Sequence, residues 1–360
     1  MNKKRKRVLV AMSGGVDSSV AAAILKEQGY EVIGATMKIW PKENCGRHGE
    51  RSCCSLDDIE DARKVCRALG IKHYVLNFEK IFRKEVIDYF AKSYMKGRTP
   101  NPCIICNEKI KFGGLLKKAQ ELDCDFISTG HYARIENNGA FRLKESADKA
   151  KDQSYVLFCL KKGQLKKVIF PVGDLKKHEV RKKAKDLGFG VFDKKDSQEI
   201  CFVMDNKYAG FIKEYCGMES KDGDIVDSEG NVLGRHKGYW NYTIGQRRGL
   251  GVSAKEPLYV TEIIPEKNLV KVGGFSNVKR KRFIVRDAIF SQGLKDKGIE
   301  VKVKIRYTHN KASATLRDMG DDKIEVEFSE PQEAITPGQA AVFYDGEYVL
   351  GGGWIDQVLG

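Results

Sequence analysis

The chain has 360 residues, 41% of them hydrophobic and 31% charged, with 64 Lys and Arg against 49 Asp and Glu for a net charge of +15. That length allows two or three domains, and no apolar run approaches the roughly 20 residues of a membrane span. The basic start, Met1 to Arg7, leads into a strand and not into a signal-peptide core, so a cytoplasmic protein is expected. Ten cysteines, at 45, 53, 54, 66, 103, 106, 124, 159, 201 and 216, all lie in the first 216 residues. A disulfide scaffold would be short and secreted, so reduced thiols are expected, some of them doing chemistry.

In chain order, Arg7–Met12 reads as a strand and Ser18–Gln28 as a helix that stops at Gly29. Between them lies Met12-Ser-Gly-Gly-Val-Asp-Ser-Ser19. Strand, glycine turn and hydroxyl-rich helix start make a phosphate cradle: glycines admit an anion close to the backbone, and helix N–H groups with the Ser13, Ser18 and Ser19 hydroxyls can grip it. The Gly-Lys-Ser/Thr ending of a Walker loop and the three-glycine dinucleotide fingerprint are both missing. Glu31–Ile39 reads as a second strand, Asp58–Leu69 as a helix with its start signal in Ser55-Leu-Asp-Asp58, and His73–Phe78 as a third strand. Helices over Ile81–Met95 and Phe112–Leu122 and a strand over Asp125–Thr129 follow. This alternation predicts a doubly wound parallel sheet, an α/β class in which ligand binds at the carboxyl ends of the strands.

From about residue 205 short glycine-bounded strands take over: Gly234–Tyr242, Leu258–Ile264, Leu269–Val272, Phe283–Ala288, Glu300–Ile305, Ala312–Arg317, Lys323–Phe328, Ala340–Tyr344 and Tyr348–Trp354. Alternation such as Val301-Lys-Val-Lys-Ile305 fits half-buried antiparallel strands. The reading is a phosphate-cradle domain over 1–204, a small mixed domain over 205–281 and a β-barrel over 282–360. Charge follows the same division, with 41 cations against 26 anions in the first part, 13 against 10 in the second and 10 against 13 in the last. The basic excess sits where a polyanion would lie across the nucleotide site.

Cys103 and Cys106 stand between a double-proline loop and a helix, and Cys-x-x-Cys alone fits a redox couple, half a metal site or a catalytic thiol with a neighbour. A second element, Asp196-Ser-Gln-Glu-Ile-Cys201, lies 95 positions beyond Cys106. The glycine turn is similar to the SGGxDS loop of the ATP pyrophosphatases (the PP-loop enzymes, adenine nucleotide alpha hydrolase-like in fold). Adding Asn101-Pro-x-x-x-Cys-Asn-x-x-Ile-Lys-Phe112, Thr129-Gly-His-Tyr132, Lys151-Asp-Gln-Ser-Tyr155, the Cys201 element and Tyr242-Thr-Ile-Gly-Gln-Arg-Arg-Gly249, in that order, the chain resembles the tRNA-specific 2-thiouridylases (the MnmA/TrmU family) over essentially its whole length.

The resemblance implies that ATP, with Mg²⁺, adenylates the C2 oxygen of the wobble uridine of a tRNA and that a persulfide sulfur replaces it, giving 2-thiouridine, AMP and pyrophosphate. Cys201 matches the family's persulfide carrier. Cys106 matches the nucleophile that resolves it through a Cys106–Cys201 disulfide, since cleaving an S–S bond needs an attacking thiolate and a leaving sulfur. By position Ala11, Met12, Ser13, Gly14, Gly15, Val16, Asp17 and Ser18 match the ATP segment, Met37 an adenine-side contact and Gly130 another nucleotide contact. His131, Lys151, Asp152, Gln153, Arg306, Tyr307 and Gln339 fall where the family touches tRNA. Asp17 is the candidate Mg²⁺ partner, with a helix cap as its structural alternative, and for His131 the alternative is a buried structural histidine. A sulfur-donor protein, either a relay protein or a cysteine desulfurase, is the further partner implied, and no membrane is involved.

Two departures stand out. Where the family often has Asp directly after Asn-Pro, this chain has Cys103, so an acid/base role cannot be carried over. Cys103, Cys106 and Cys201 make instead a three-thiolate set suited to an iron–sulfur cluster with one open iron, an alternative route for sulfur. The segment Trp40–Ser55 carries Cys45, His48, Cys53 and Cys54, soft ligands for Zn²⁺ without the spacing of a familiar finger; incidental surface thiols are the plainer reading. Two other functions compete: a PP-loop ligase acting on a small molecule, which leaves the paired distant cysteines unexplained, and an RNA-binding protein with a degenerate nucleotide fold, against which the intact glycine turn argues.

Overall fold

The computed structural model describes residues 5–39, 56–196, 200–203, 207–290 and 298–359. Two compact units form: residues 1–86, 103–205 and 347–349 make one, and 87–102, 206–346 and 350–360 the other.

In the first unit, β1 (Arg7–Ala11), β2 (Glu31–Lys38), β3 (Lys72–Asn77), β4 (Phe126–Ser128), the hairpin of β5 (Ala133–Asn137) and β6 (Phe141–Glu145), and β7 (Val168–Ile169) follow in chain order. Five of these form a sheet in the order β3-β2-β1-β4-β7, with parallel pairing throughout. Strand side chains alternate between faces. Val8 and Val10 pack into a cluster with Val20 and Leu25 of the helix Val16–Glu27, Ala62 and Val65 of the helix Leu56–Ala68, and Val180 and Ala184 of the helix Lys177–Asp186; Leu9, fully buried, takes the opposite face. Sheet order reverses between β1 and β4, so the turns after these two strands open at the switch point where an open α/β sheet takes its ligand. The expected doubly wound sheet is present.

Between β3 and β4 the main departure is helical. The expected Ile81–Met95 helix is an α-turn over Glu79–Phe82, a wider π-wound stretch over Arg83–Ile87 and an α-helix over Asp88–Met95. Likewise Pro102–Ile105 is α-helical and Cys106–Leu115 is π-wound before Leu116–Glu121 returns to α. The helix Lys177–Asp186 escaped sequence reading because only Val180 and Ala184 of its ten residues are buried.

In the second unit β8 (Gly223–Val226), β9 (Val232–His236), β10 (Tyr259–Ile264) and β11 (Leu269–Gly273) form a mixed sheet in the order β10-β11-β8-β9, with β11 and β8 parallel. The strand expected over Gly234–Tyr242 stops at His236. Gly238 then takes φ +128°, a 3₁₀ turn over Tyr239–Asn241 follows, and the Trp240 ring would lie 2.4 Å from any Cβ at Gly238. After this sheet β12 (Lys279–Phe290), β13 (Ile299–Lys304), β14 (Ala312–Gly320), β15 (Lys323–Glu333), β16 (Ala340–Asp345) and β17 (Tyr348–Val358) run in the order β12-β15-β14-β13-β16-β17, and β17 pairs back to β12. That closure removes the open edges of the six-stranded barrel. Its interior is Phe283, Val285, Val303, Leu316, Val326, Phe328, Phe343 and Ile355, each almost wholly buried.

Phe328 meets Phe283 with ring centroids 5.6 Å apart. Phe328→Ala is therefore expected to destabilise the barrel by about 3–5 kcal/mol. Urea unfolding followed by far-UV dichroism reads it, and a midpoint equal to wild type would contradict this packing.

Candidate active site at the turn after the first strand

The turn Met12–Gly15 is held from three sides. Gly14 takes φ +72°, and an added Cβ there would meet the backbone oxygen of Asp58 at 2.3 Å, so only glycine fits. Lys194 Nζ donates to the Gly14 carbonyl at 3.1 Å and to the carboxylates of Asp58 and Asp61, each at 2.7 Å. On the far side Gly130, in the turn after β4, would place a Cβ 2.6 Å from Ser18 N. Two strand-end turns thus press together, leaving the N-terminus of the helix Val16–Glu27 at the carboxyl edge of the sheet. The first N–H groups of a helix lack intrahelical partners and favour anions. The Ser18 and Ser19 hydroxyls, expected to face a phosphate, donate to Gly15 O at 3.1 and 2.8 Å, and Ser18 Oγ also accepts from Ser13 N at 3.2 Å. Met12 is buried and Met37, on β2, is half-buried.

An ion network leads away from this turn. Lys177 Nζ donates to both carboxylate oxygens of Asp17 at 2.8 Å and pairs with Asp196 at 2.7 Å. Asp196 also pairs with Lys151 at 2.8 Å and Arg181 at 3.3 Å, and Tyr132 Oη donates to Asp17 at 2.8 Å. Burial alone would raise the pKa of Asp196, but the hydrogen bonds from Lys151 and Lys177 outweigh it and pull it below the ordinary range. Burial and the neighbouring Asp17 charge push the Tyr132 phenol far up, so it stays a donor. The lysine side chain is only 12% exposed. Sequence reading missed Lys177, Arg181, Lys194 and Tyr132. Motif spacing carries no signal for a contact that folding makes across 160 residues.

The cysteines fall into two sorts. Burial pushes the Cys66 thiol up to about 12 and Cys124 to about 11, and lifts Cys159 further, so these three stay protonated. Cys103 is exposed, and Cys106 and Cys201 are half-exposed. Phe202, next to Cys201, packs edge-on against Phe82 with centroids 5.9 Å apart, and the turn Glu79–Phe82 packs on the helix Cys106–Leu115. The Cys106 helix is pinned by Asn107 Nδ2 donating to Val156 O at 2.9 Å and Gln164 Nε2 donating to Phe112 O at 2.7 Å. Among the described residues no three Cys, His, Asp or Glu side chains gather to hold a metal ion. The three-thiolate set of Cys103, Cys106 and Cys201, the alternative route for sulfur, is therefore not assembled. Cys45, His48, Cys53 and Cys54 lie outside the described residues. No described helix is long and apolar enough to cross a membrane.

Three family models cover nearly the whole chain: "tRNA methyl transferase HUP domain" matches residues 6–205, "tRNA methyl transferase PRC-barrel domain" 209–274 and "Aminomethyltransferase beta-barrel domain" 280–355. Among relatives, the tRNA-specific 2-thiouridylase MnmA of Clostridioides difficile (strain 630) is 47% identical over 363 residues, spanning 100% of this chain and 99% of its own. The Clostridium acetobutylicum protein of the same name is 49% identical over 99% of this chain and 100% of its own. The chain belongs to the tRNA-specific 2-thiouridylase family. The methyltransferase wording belongs to the family models; the full-length relatives carry the thiouridylase name.

The positions where 2-thiouridylases would touch tRNA are placed unequally. Lys151 is in the ion network, and Gln153 Oε1 accepts from Tyr132 N at 2.9 Å. Asp152 is 8% exposed and accepts from Ser146 N and from the amide and hydroxyl of Ser154, building its own turn. His131 is 7% exposed, with its ring packed beside Phe112 and Phe170, a burial that fits its structural alternative. Lys111, a donor only, lies 3.4 Å from His131 Nε2; Nδ1–H therefore donates to Thr129 Oγ1 at 2.7 Å. Arg306, Tyr307 and Gln339 belong to the second unit. There Arg306 donates to Glu333 O and Gln339 to Thr99 O, each at 2.9 Å.

Burial, aided by the Lys111 charge, holds the His131 pKa well below its ordinary value of 6.5. Below that value the unfolded chain binds a proton that the folded chain refuses, so stability is fully present above about pH 6.5 and falls as pH drops beneath it. His131→Phe is expected to lose less stability than wild type between pH 7.5 and 5.5, read by urea midpoints at each pH. The other buried histidines cancel in this comparison. Equal losses would place a charged imidazole at 131.

Proposed function

We propose that this chain is an ATP-dependent tRNA 2-thiouridylase of the cytoplasm, using the Met12–Ser18 turn to activate the wobble uridine and Cys201 with Cys106 to deliver sulfur. The observation that carries this reading is the single Lys177 ammonium shared by Asp17, in the nucleotide turn, and Asp196, five residues before Cys201. The two halves of the chemistry are tied through one charge.

Activation joins the uridine C2 oxygen to the α-phosphorus of ATP and releases pyrophosphate, converting a poor leaving oxygen into AMP. The helix N-terminus behind Gly14 and Gly15 suits the leaving pyrophosphate. Ala11, Met12, Ser13, Val16, Ser18, Met37 and Gly130 complete the nucleotide contacts. Mg²⁺ is normally held by one or two carboxylates together with substrate phosphates. Asp17 fits that role once its lysine partner turns to the phosphates; it would hold the ion, whose charge would offset that of the phosphates.

Sulfur arrives on Cys201 as a persulfide from a donor protein. The Cys106 thiolate attacks Cys201 Sγ, forming the Cys106–Cys201 bond and expelling hydrosulfide. Hydrosulfide replaces AMP at C2, and a thiol reductant returns the disulfide to two thiols. Lys151 and Gln153 in the first unit and Arg306, Tyr307 and Gln339 in the second are assigned to tRNA. Asp152 and His131 support Lys151 and the Gly130 turn from within.

The deciding assay supplies ATP, tRNA and a persulfide source and looks for thiolated uridine by mass spectrometry together with AMP. Cys201→Ser is expected to abolish thiolation while tRNA affinity stays within two-fold; retained turnover would remove Cys201 from the sulfur path. Gly130→Ala drives a Cβ into backbone that cannot yield, so ATP affinity by calorimetry should fall at least ten-fold. An unchanged affinity would detach the Thr129–His131 turn from the nucleotide site.

A further inference from the structure

On the second unit two large rings stand out at the surface. Phe275 is 43% exposed and Tyr307 is 41% exposed. Phe275 opens the 3₁₀ turn Phe275–Val278 that leads directly into β12, and Lys279, first residue of that strand, holds its ammonium 4.6 Å from the Phe275 centroid. Lys304 Nζ lies 5.8 Å from the Tyr307 ring. The end of β15 joins the two rings. Lys279 pairs with Glu333 and Arg280 with Gln332 in the ladder, Ala334 N donates to Val278 O at 2.9 Å, and Arg306 Nη1 donates to Glu333 O at 2.9 Å. Glu330 and Glu333 are the carboxylates on this strand end, against the cations Lys279, Arg280, Lys304 and Arg306.

Local geometry explains why so much charge stands outward. The β12–β15 register slips between Arg280 and Arg282, a bulge that breaks the in–out alternation. Lys279, Lys281 and Arg282 are consequently all exposed, while Phe283 and Val285 beyond the bulge point into the barrel. Arg280 spends a hydrogen bond on the Lys279 carbonyl and Lys281 one on Ser329 O, both backbone acceptors and not carboxylates. Exposed rings interleaved with cations are what an unpaired nucleic-acid strand needs: every base has a face to stack, and every linkage has a phosphate to neutralise.

We propose that Phe275 and Tyr307, with Lys279, Arg280, Lys304 and Arg306 around them, form a stacking platform for an unpaired stretch of the tRNA. The inference rests on tRNA being the substrate and extends it. Arg306 and Tyr307 already match family positions, whereas Phe275, Lys279 and Arg280 are assigned from geometry alone. Rings carry base stacking and cations carry phosphate neutralisation, and these two contributions respond differently to salt.

The test is tRNA binding by fluorescence anisotropy over a series of salt concentrations, using the full chain. Phe275→Ala should weaken binding roughly 5- to 100-fold, the range of one lost stacked base, with the slope of log affinity against log salt unchanged. Phe275→Leu keeps the apolar contact with Tyr259, whose ring lies 5.6 Å away, so it guards against misfolding and should still lose most of that affinity. Lys279→Gln with Arg280→Gln should flatten the slope by about 0.7–0.9 for each phosphate contact removed. Full affinity in Phe275→Leu, or an unchanged slope in the double variant, would overturn the platform. Wild-type protein that binds no tRNA would instead overturn the functional reading itself.

Discussion

One ammonium group organises the first unit. Lys177 is 12% exposed and lies between Asp17 and Asp196. Taking a lysine charge out of water is costly, and two carboxylates at hydrogen-bond distance are what make it tolerable. The consequence is mutual: neither carboxylate can be repositioned without leaving the lysine half-compensated. An incoming anion could take over the role of either carboxylate without stranding the lysine charge. Three cations, Lys151, Lys177 and Arg181, surround the two acids, and Arg181 also reaches Asp193 at 4.0 Å, so cations and acids in the cluster are matched in number.

The same physics sorts the sequence into what could be read and what could not. The strand Arg7–Ala11, the glycine turn and the helix behind it were legible because each depends on neighbours within a few residues: an apolar run, glycines able to take positive φ, a helix start. The barrel strands were legible for the same reason, their alternation matching a half-buried ladder. Lys177 was invisible because it lies on a helix with two buried residues and meets partners far away in sequence. Gly238 shows the opposite failure: alternation from Gly234 continued on paper, but the Trp240 ring folds back over the glycine and ends the strand.

Cysteine chemistry is divided by burial and not by motif. Cys66, Cys124 and Cys159 sit in apolar surroundings that disfavour the thiolate. Cys103, Cys106 and Cys201 retain contact with solvent, and only a thiolate can attack or ligate. The Cys106 helix is π-wound over ten residues, a rare geometry that recurs at functional sites. Here Asn107 and Gln164 tie that helix to neighbouring carbonyls, so the irregular winding is held by side-chain hydrogen bonds from outside its own ladder.

Net charge by domain is a coarse guide for the same reason that spacing is. Counted from residue 282, the barrel region carries three more anions than cations, which argues against a nucleic-acid surface. The structure starts that barrel at Lys279, and Lys279, Arg280 and Lys281 restore the balance. Even so, a neutral total says little, because phosphate attraction is screened beyond about 8–10 Å at physiological salt. What an RNA strand meets is the local arrangement. On β12 a bulge turns consecutive cations outward beside an exposed ring, while many of the acids that cancel them in the sum, such as Asp318, Asp321 and Asp322, sit at the β14–β15 turn, away from the strand end that carries Glu333. The register of one strand therefore decides what the composition of the whole region leaves undecided.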